Sequence, residues 1–206
     1  MIAIIDYGVG NLFSLISSFK AIGAEVAVTK DENIIRSADK IVLPGVGAFG
    51  DAAAKLKKTG LDKVVIEEAN QGKPLLGVCL GMQLLLNKSY EFGEHEGLGL
   101  IPGEIRPISE SISPELKIPQ IGWNALEFSG EVSPLFKFIK NGDFVYFVHS
   151  YHGVNCKENT IATTSYGGTL TAAVAKENIF GCQFHPEKSG SVGLNILRAF
   201  CEMEVK

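Results

Sequence analysis

Pro74-Leu75-Leu76-Gly77-Val78-Cys79-Leu80-Gly81-Met82-Gln83 is an apolar run that ends in Gly-x-Cys-x-Gly and passes straight into helix-forming residues. A strand entering a helix through so tight a turn holds its central residue in a strained conformation, and glycines two positions either side keep side chains from crowding it. The pattern is a nucleophile elbow. It predicts Cys79 exposed at the carboxyl end of a sheet, its sulfur near the positive end of the next helix, with the Leu80 amide placed to stabilise an oxyanion.

Upstream of the elbow, β-rich runs over Ile2–Asp6, Glu25–Thr29 and Lys40–Leu43 join Pro74–Val78 as predicted strands. Helical patterns fall between them. Asn11–Ile22 puts Leu12, Leu15, Ile16 and Phe19 on one stripe, and Leu61–Asn70 does the same with Leu61, Val64, Val65 and Glu68. Strand and helix in alternation imply right-handed crossovers and a parallel sheet covered on both faces, with ligands gathering at the carboxyl ends of its strands. From about Gly103 the texture changes. Pro107, Pro114 and Pro119 mark loops, and Gln120–Phe128, Phe144–His149, Ile161–Ser165, Leu170–Ala175 and Ile179–Phe184 read as hairpin or meander strands before a last helix over Ser191–Met203. The fold class predicted is α/β: a flavodoxin-like open mixed sheet, parallel at its centre, with helices on both faces and an antiparallel extension. At 206 residues and 46% hydrophobic content, one domain over 1–206 is expected.

Composition narrows the function classes. Nineteen basic and 23 acidic residues give a formal net charge of −4, and no basic tract could track a phosphate backbone or an anionic membrane, so neither nucleic acid nor membrane is expected as a partner. Met1–Asp6 is too short and lacks the basic flank for a signal segment, so a cytoplasmic chain is expected. Cys79, Cys156, Cys182 and Cys201 show no CxxC spacing, which suggests neither a metal site nor a disulfide framework. No cofactor is expected: Asp6-Tyr7-Gly8-Val9-Gly10-Asn11 places G-x-G after a strand, yet Phe13 stands where a dinucleotide fingerprint requires glycine, and no GxxxxGK[ST] occurs.

Phe180-Gly181-Cys182-Gln183-Phe184-His185-Pro186-Glu187 supplies what a catalytic thiol needs. A strand ends at an imidazole that can take the sulfur's proton and return it to a leaving amine, and two positions later a carboxylate can orient the ring. Leu43-Pro44-Gly45-Val46-Gly47 adds a glycine-bracketed turn after another strand, whose Val46 or Gly47 amide would complete an oxyanion hole with Leu80. Together these point to hydrolysis or transfer at an acyl carbon. Cys156, Cys182 and Cys201 read as packed thiols, His95 as a solvated loop residue, and His149 and His152 as structural hydrogen-bonders beside a strand end. Trp123 reads either as core or as an exposed interface anchor. Asp6 and Asn11 read as caps of the first helix.

The elbow Gly77-Val78-Cys79-Leu80-Gly81-Met82-Gln83 with Phe184-His185-Pro186-Glu187 resembles the class I (triad-type) glutamine amidotransferases over essentially the whole chain. Five further segments are similar to the glutaminase subunits of imidazole glycerol phosphate synthases: Asp6–Leu12, Leu43–Phe49, Gly122-Trp123-Asn124, Tyr146–Tyr151 and His185–Gly190. The resemblance implies that Cys79 attacks the side-chain amide of glutamine, His185 acts as base and then acid, and Glu187 orients it. It implies that Gly47, Gln83, Glu91, Ser150 and Tyr151 hold glutamine, and that Asn11, Trp123 and Lys188 face a partner. That partner would be a (β/α)8-barrel cyclase subunit in a heterodimer. It would use the ammonia to make imidazole glycerol phosphate and an aminoimidazole carboxamide ribotide in histidine biosynthesis. The chain shows no phosphate cradle of its own, which fits this division of labour. A flexible Val46–Gly47 turn would leave the isolated chain slow until the partner and its ligand are present. The alternatives are a glutaminase subunit for pyridoxal phosphate, anthranilate or carbamoyl phosphate synthesis, a non-catalytic binding protein of the same fold, and a cysteine hydrolase acting on peptides. The Ser/Pro-rich stretch 107–119 matches none of these patterns.

Overall fold

Strands β1 (Ile2–Ile5), β2 (Val26–Thr29), β3 (Lys40–Leu43) and β4 (Leu75–Val78) alternate with helices α1 (Leu12–Ala21), α2 (Glu32–Ser37), α3 (Phe49–Thr59) and α4 (Leu61–Asn70). The structure is a computed structural model and describes residues 1–204. β1, β3 and β4 are buried at every position, as strands covered on both faces must be. Their residues part by turns. Ala3, Ile5, Ile41, Leu43 and Leu75 join a core with Ile35, Leu56, Val64 and Val65 from α2, α3 and α4. Ile2, Ile4, Val42, Leu76 and Val78 join the opposite core, which holds Leu15 and Phe19 of α1. Period-two alternation thus delivers one apolar set to each helical layer. The sequence pattern singled out neither α2 nor α3; α2 starts where the Asp31 carboxylate accepts from the Asn33 N–H at 2.8 Å.

After the elbow come α5 (Leu80–Leu85), β5 (Lys88–Ser89), β6 (His95–Glu96), β7 (Glu104–Pro107), β8 (Gln120–Ala125), β9 (Glu127–Phe128), β10 (Phe144–His149), β11 (Tyr151–Val154), β12 (Thr160–Ser165), β13 (Thr169–Lys176), β14 (Ile179–Cys182) and α6 (Gly190–Glu202). The main sheet runs β2-β1-β3-β4-β14-β13-β12-β9. β14 is parallel to β4, with Cys182 opposite Val78, so the elbow and the His185 segment leave adjacent strands at the same end. β13, β12 and β9 continue the sheet antiparallel. The expected mixed sheet is therefore the one found.

Two expectations about the second half need correction. Gln120–Phe128 is not one strand: Leu126 turns fully inward between β8 and β9, which belong to different sheets. Phe144–His149 does not extend the main sheet either, but pairs with β8 alone as a two-stranded ribbon. The reason lies in β10, whose Val145 and Phe147 are buried against the α1 and α6 side of the core, where Phe147 meets Phe184 edge to face at 5.8 Å. Strands with that much apolar area to bury lie over the sheet as a layer instead of lengthening its edge. A small sheet of order β11-β7-β5-β6 closes the other side. The 107–119 stretch packs on the β12–β13 turn, with Ser113 donating to the Gly167 carbonyl.

Candidate active site

Cys79 has φ 54° and ψ −111°, a region that side chains avoid, and so carries the backbone strain of an elbow. The bracketing glycines serve backbone packing. A Cβ on Gly81 would lie 1.9 Å from the Leu43 carbonyl oxygen, and one on Gly77 would lie 2.7 Å from Gly81 itself, so β3, β4 and α5 touch main chain to main chain. Contrary to expectation, Cys79 is not exposed but only 8% accessible, because Val148–Tyr151 and His185 wall the pocket into which it opens. α5 has six residues, so its help to a thiolate comes from its first unpaired amides, Leu80 N–H among them, more than from a long helix dipole.

The backbone joins the two strand ends directly, with Cys79 N–H donating to the Cys182 carbonyl at 2.7 Å. Three residues on, His185 is buried, its N–H donating to the Tyr146 carbonyl at 2.9 Å, while Ser189 Oγ donates to the His185 carbonyl at 2.7 Å. Its Nδ1 bonds Glu187 Oε1 at 2.7 Å, and both side chains are almost wholly inaccessible. An ionised carboxylate accepts, so Nδ1 carries a proton and the other ring nitrogen is left to face Cys79. Burial alone would push the imidazole's pKa down. Hydrogen bonding to the Cys79 sulfur and to Glu187, with the charges of both, outweighs it and raises the pKa above the ordinary histidine value. The imidazolium is thus favoured beside the thiolate that its formation leaves on Cys79. Glu187 Oε2 is buried without a partner among the described residues.

The Pro44–Gly47 turn lies against this line of groups. Gly45 packs on the start of α5, where a Cβ would come 2.7 Å from Gly81 N, and Gly47 has φ +93°, open to glycine and rare for other residues. The turn is held at its two ends. Buried Tyr7 donates its hydroxyl to the Pro44 carbonyl at 2.7 Å, and Glu91 Oε2 accepts from Phe49 N–H at 2.6 Å. Between those tethers Val46 is 41% exposed, and among the described residues the Val46 and Gly47 amides have no acceptor. Burial, and then the neighbouring Cys79 charge, push the Tyr7 phenol's pKa far up, so it remains a donor.

A pocket of about 390 Å³ brings Cys79, His185, Val46, Gly47 and Leu80 together with the five residues expected around a substrate, of which Gly47 is one and Gln83, Glu91, Ser150 and Tyr151 are the rest. That volume suits a small molecule. A larger hollow of about 710 Å³, bordered by Glu177, Asn178 and Phe180 at the opposite strand ends, contains neither thiol nor imidazole. Lys188 reaches the rim of the active pocket and lies over the Tyr146 ring at 5.7 Å; Trp123, 52% exposed, meets the same ring edge to face at 6.0 Å. Trp123 is thus a surface residue, not core. Asn11 and Trp123 do not line the pocket. Among the described residues no group of three His, Cys, Asp or Glu side chains is arranged for a metal ion, and no helix is long and apolar enough to cross a membrane.

Smaller expectations sort themselves physically. Asn11 sits at the N-cap position of α1 but donates to Ser14 Oγ instead of capping, and Asp6 accepts from Gly8 N–H in a local turn. His95 is not a free loop residue: it pairs in β6, and its ring covers Gly50, where a Cβ would lie 2.7 Å away. His149 is hydrogen-bonded through both nitrogens, to the Tyr151 carbonyl at 2.8 Å and Gln120 Oε1 at 2.9 Å, and His152 bonds Ser111 Oγ at 2.9 Å. Cys156 and Cys182 are buried, and Cys201 lies half-buried on α6. Tyr7 and Gln183 were missed as contributors to the site. Tyr7 sits in a motif read for nucleotide binding, helix capping and family resemblance, none of which gives its side chain a role at the site. Gln183 is a polar residue inside an apolar strand end, a signal that could have marked it.

Comparison with known proteins agrees with this geometry. Residues 3–203 match the family profile described as glutamine amidotransferase class-I. The chain is 46% identical over 205 residues to the imidazole glycerol phosphate synthase subunit HisH of Wolinella succinogenes, covering 98% of this chain and 100% of that protein. It is 47% identical over 204 residues to the protein of the same name from Caldanaerobacter subterraneus, covering 98% of each. Among solved structures it is similar to one titled crystal structure of glutamine amidotransferase (TM-score 0.76, 16% identity, 98% of each chain covered). It is likewise similar to the structure of PurLQS from Thermotoga maritima (TM-score 0.76, 18% identity, 97% of this chain and 96% of that one). At those identities the structural likeness speaks for the fold alone.

Proposed function

The chain belongs to the glutamine amidotransferase class-I family, and from that premise we propose that it is the glutaminase subunit of an imidazole glycerol phosphate synthase, the subunit its relatives are named for. The observation that carries the chemistry is one small pocket lined by a strained thiol and by a buried imidazole whose Nδ1 is held by a buried carboxylate. Cys79 gives its proton to His185 and attacks the amide carbon of glutamine. Glu187 holds the ring by its Nδ1 and balances its charge. The tetrahedral oxyanion is met by Leu80 N–H and by Val46 or Gly47 N–H. His185 returns the proton to the leaving nitrogen, ammonia departs, and water resolves the glutamyl thioester to glutamate. Gly47, Gln83, Glu91, Ser150 and Tyr151 hold the amino and carboxylate groups of the substrate.

The ammonia passes to a cyclase subunit of (β/α)8-barrel form, which makes imidazole glycerol phosphate and aminoimidazole carboxamide ribotide. The exposed face of the β8–β10 ribbon supports such a partner. Ile121, Trp123, Tyr146 and Phe144 alternate onto one side of it, and Lys188 joins the pocket rim to that patch. Asn11, Trp123 and Lys188 are its contact residues in this reading. Residues 1–206 act as one cytoplasmic unit, one copy to one cyclase. Glutamate release from glutamine by the purified chain, alone and with the cyclase subunit and its nucleotide ligand, tests the reading. Strong activation by the cyclase, lost in Cys79→Ala, is the expected result. Intact basal turnover without any response to the cyclase would keep the glutaminase and discard the pathway, and no turnover in any mixture would discard both.

A further inference from the structure

Gln183 follows β14 directly, two residues before His185, and its side chain is fully buried, where an amide without partners is costly. Its partners form a line. Gln83 Nε2 donates to the Tyr151 carbonyl at 3.2 Å and to Gln183 Oε1 at 3.0 Å, and Gln183 Nε2 donates to Cys79 Sγ at 3.8 Å. The two ends of an amide have the same shape, so hydrogen-bond partners must decide which is which. Here a main-chain carbonyl, which only accepts, fixes the first amide. That amide's N–H₂ then requires the oxygen of the second, and the end of Gln183 turned to Cys79 is its N–H₂.

We propose that Gln183 is a further catalytic residue: its N–H₂ donates to the Cys79 sulfur, steadying the thiolate and aiming it at the substrate, while Gln83 ties that donor to the substrate-holding wall. This rests on the glutaminase reading of Cys79. When the Sγ–H proton passes to His185, negative charge appears on a sulfur that water barely reaches. A pre-aligned N–H is then a partner that the neutral thiol uses only weakly. As Sγ bonds to the amide carbon the charge leaves sulfur, and it returns when water cleaves the thioester and the Sγ–C bond breaks. The donor therefore assists both formation and departure of the sulfur without consuming a proton of its own.

Two variants of the full chain test this. Gln183→Met keeps the length and removes donor and acceptor; Gln183→Glu keeps an acceptor for Gln83 Nε2 and, when ionised, turns a charged oxygen toward the sulfur in place of the donor. Glutamine hydrolysis is measured with the cyclase subunit present, and alkylation of Cys79 by iodoacetamide is followed by mass spectrometry in the chain alone. Both variants should lose about tenfold or more in kcat, keep KM within about twofold, and alkylate more slowly. Gln183→Glu with wild-type kcat and alkylation would overturn the proposal, since Gln183 would then serve only as acceptor for Gln83. A rise in KM with kcat intact in either variant overturns it as well. If neither variant folds, the side-chain amide protons of Gln183 in ¹⁵N-labelled wild type decide. They should sit downfield and return to the free-amide position in Cys79→Ala; a free-amide position in both is the contrary result. Should the wild type release no glutamate, the glutaminase reading fails, while alkylation and the amide signals still judge the contact between Gln183 and the sulfur.

Discussion

The two sides of the active pocket are built differently. On one side, thiol, imidazole and carboxylate are buried and tied to main chain at each step: Cys79 N–H to Cys182, His185 N–H to Tyr146, Nδ1 to Glu187. On the other, the Pro44–Gly47 turn is hydrogen-bonded by Tyr7 and Glu91 only near its ends, and its Val46 and Gly47 amides stand free beside a part-exposed Val46. Groups that exchange a proton must meet at fixed distance, so the fold assembles them in the sheet, where neighbouring strands set the spacing. An oxyanion donor can instead be left to a tethered turn. The nucleophile's position therefore does not depend on that of the turn.

The largest effect should come from the fixed side. Cys79→Ala should cost on the order of 10⁴-fold or more in glutamate release with the fold intact; substantial remaining turnover would remove Cys79 from the mechanism. Glu187→Gln should follow, at roughly a thousandfold, because an amide turned to donate to Nδ1 stabilises the wrong tautomer of His185. Near-normal rates in that variant would mean that the buried Nδ1–carboxylate bond is dispensable. The turn should respond more gently. Tyr7→Phe releases the Pro44 tether and should lower kcat about tenfold, while iodoacetamide alkylation of Cys79 stays close to wild type. Parallel losses in both assays would show that the two sides are not separable.

The smallest effect concerns two buried histidines, of which His149 lines the pocket and His152 does not. Burial lowers the pKa of both His149 and His152 to about 4, so between pH 6.5 and 4 the unfolded chain binds more protons than the folded one. Stability should therefore fall as pH drops through that window, by about 1 kcal/mol between pH 7 and 6 for the two together. Urea midpoints across that range, compared with those of a His152→Gln variant, would measure it. His185 has the opposite sign. Its raised pKa contributes stability below the ordinary histidine value that is lost only as pH rises through the folded one. A His152→Gln variant whose midpoints change with pH just as those of the wild type do would show that His152 is not held neutral by burial.

Much of this is legible in the sequence. Leu12, Leu15, Ile16 and Phe19 announced α1 because an apolar stripe of helical period has one place to go, and Gly77-Val78-Cys79-Leu80-Gly81 announced a strained turn because few other arrangements need glycine at both positions. His185 and Glu187 stood out as a pair because they are two residues apart. The second half was harder to read. Gln120–Phe128 looks like one strand, and its division at Leu126 depends on which layer has room for an apolar side chain. Glu91 shows nothing in sequence of its hold on the Phe49 N–H, nor Tyr7 of its bond to Pro44, since each partner lies some forty positions away.

The sequence by itself determined the strands of the parallel centre with two of its four helices, the elbow and the identity of the reacting groups, since these follow from periodicity and from contacts between near neighbours along the chain. Only the tertiary structure decided that Cys79 is walled in, that the β8–β10 ribbon lies over the sheet, and that Gln183 turns an N–H toward the sulfur. Those outcomes depend on which distant segments compete for the same buried space, and on hydrogen bonds that burial obliges each polar group to find.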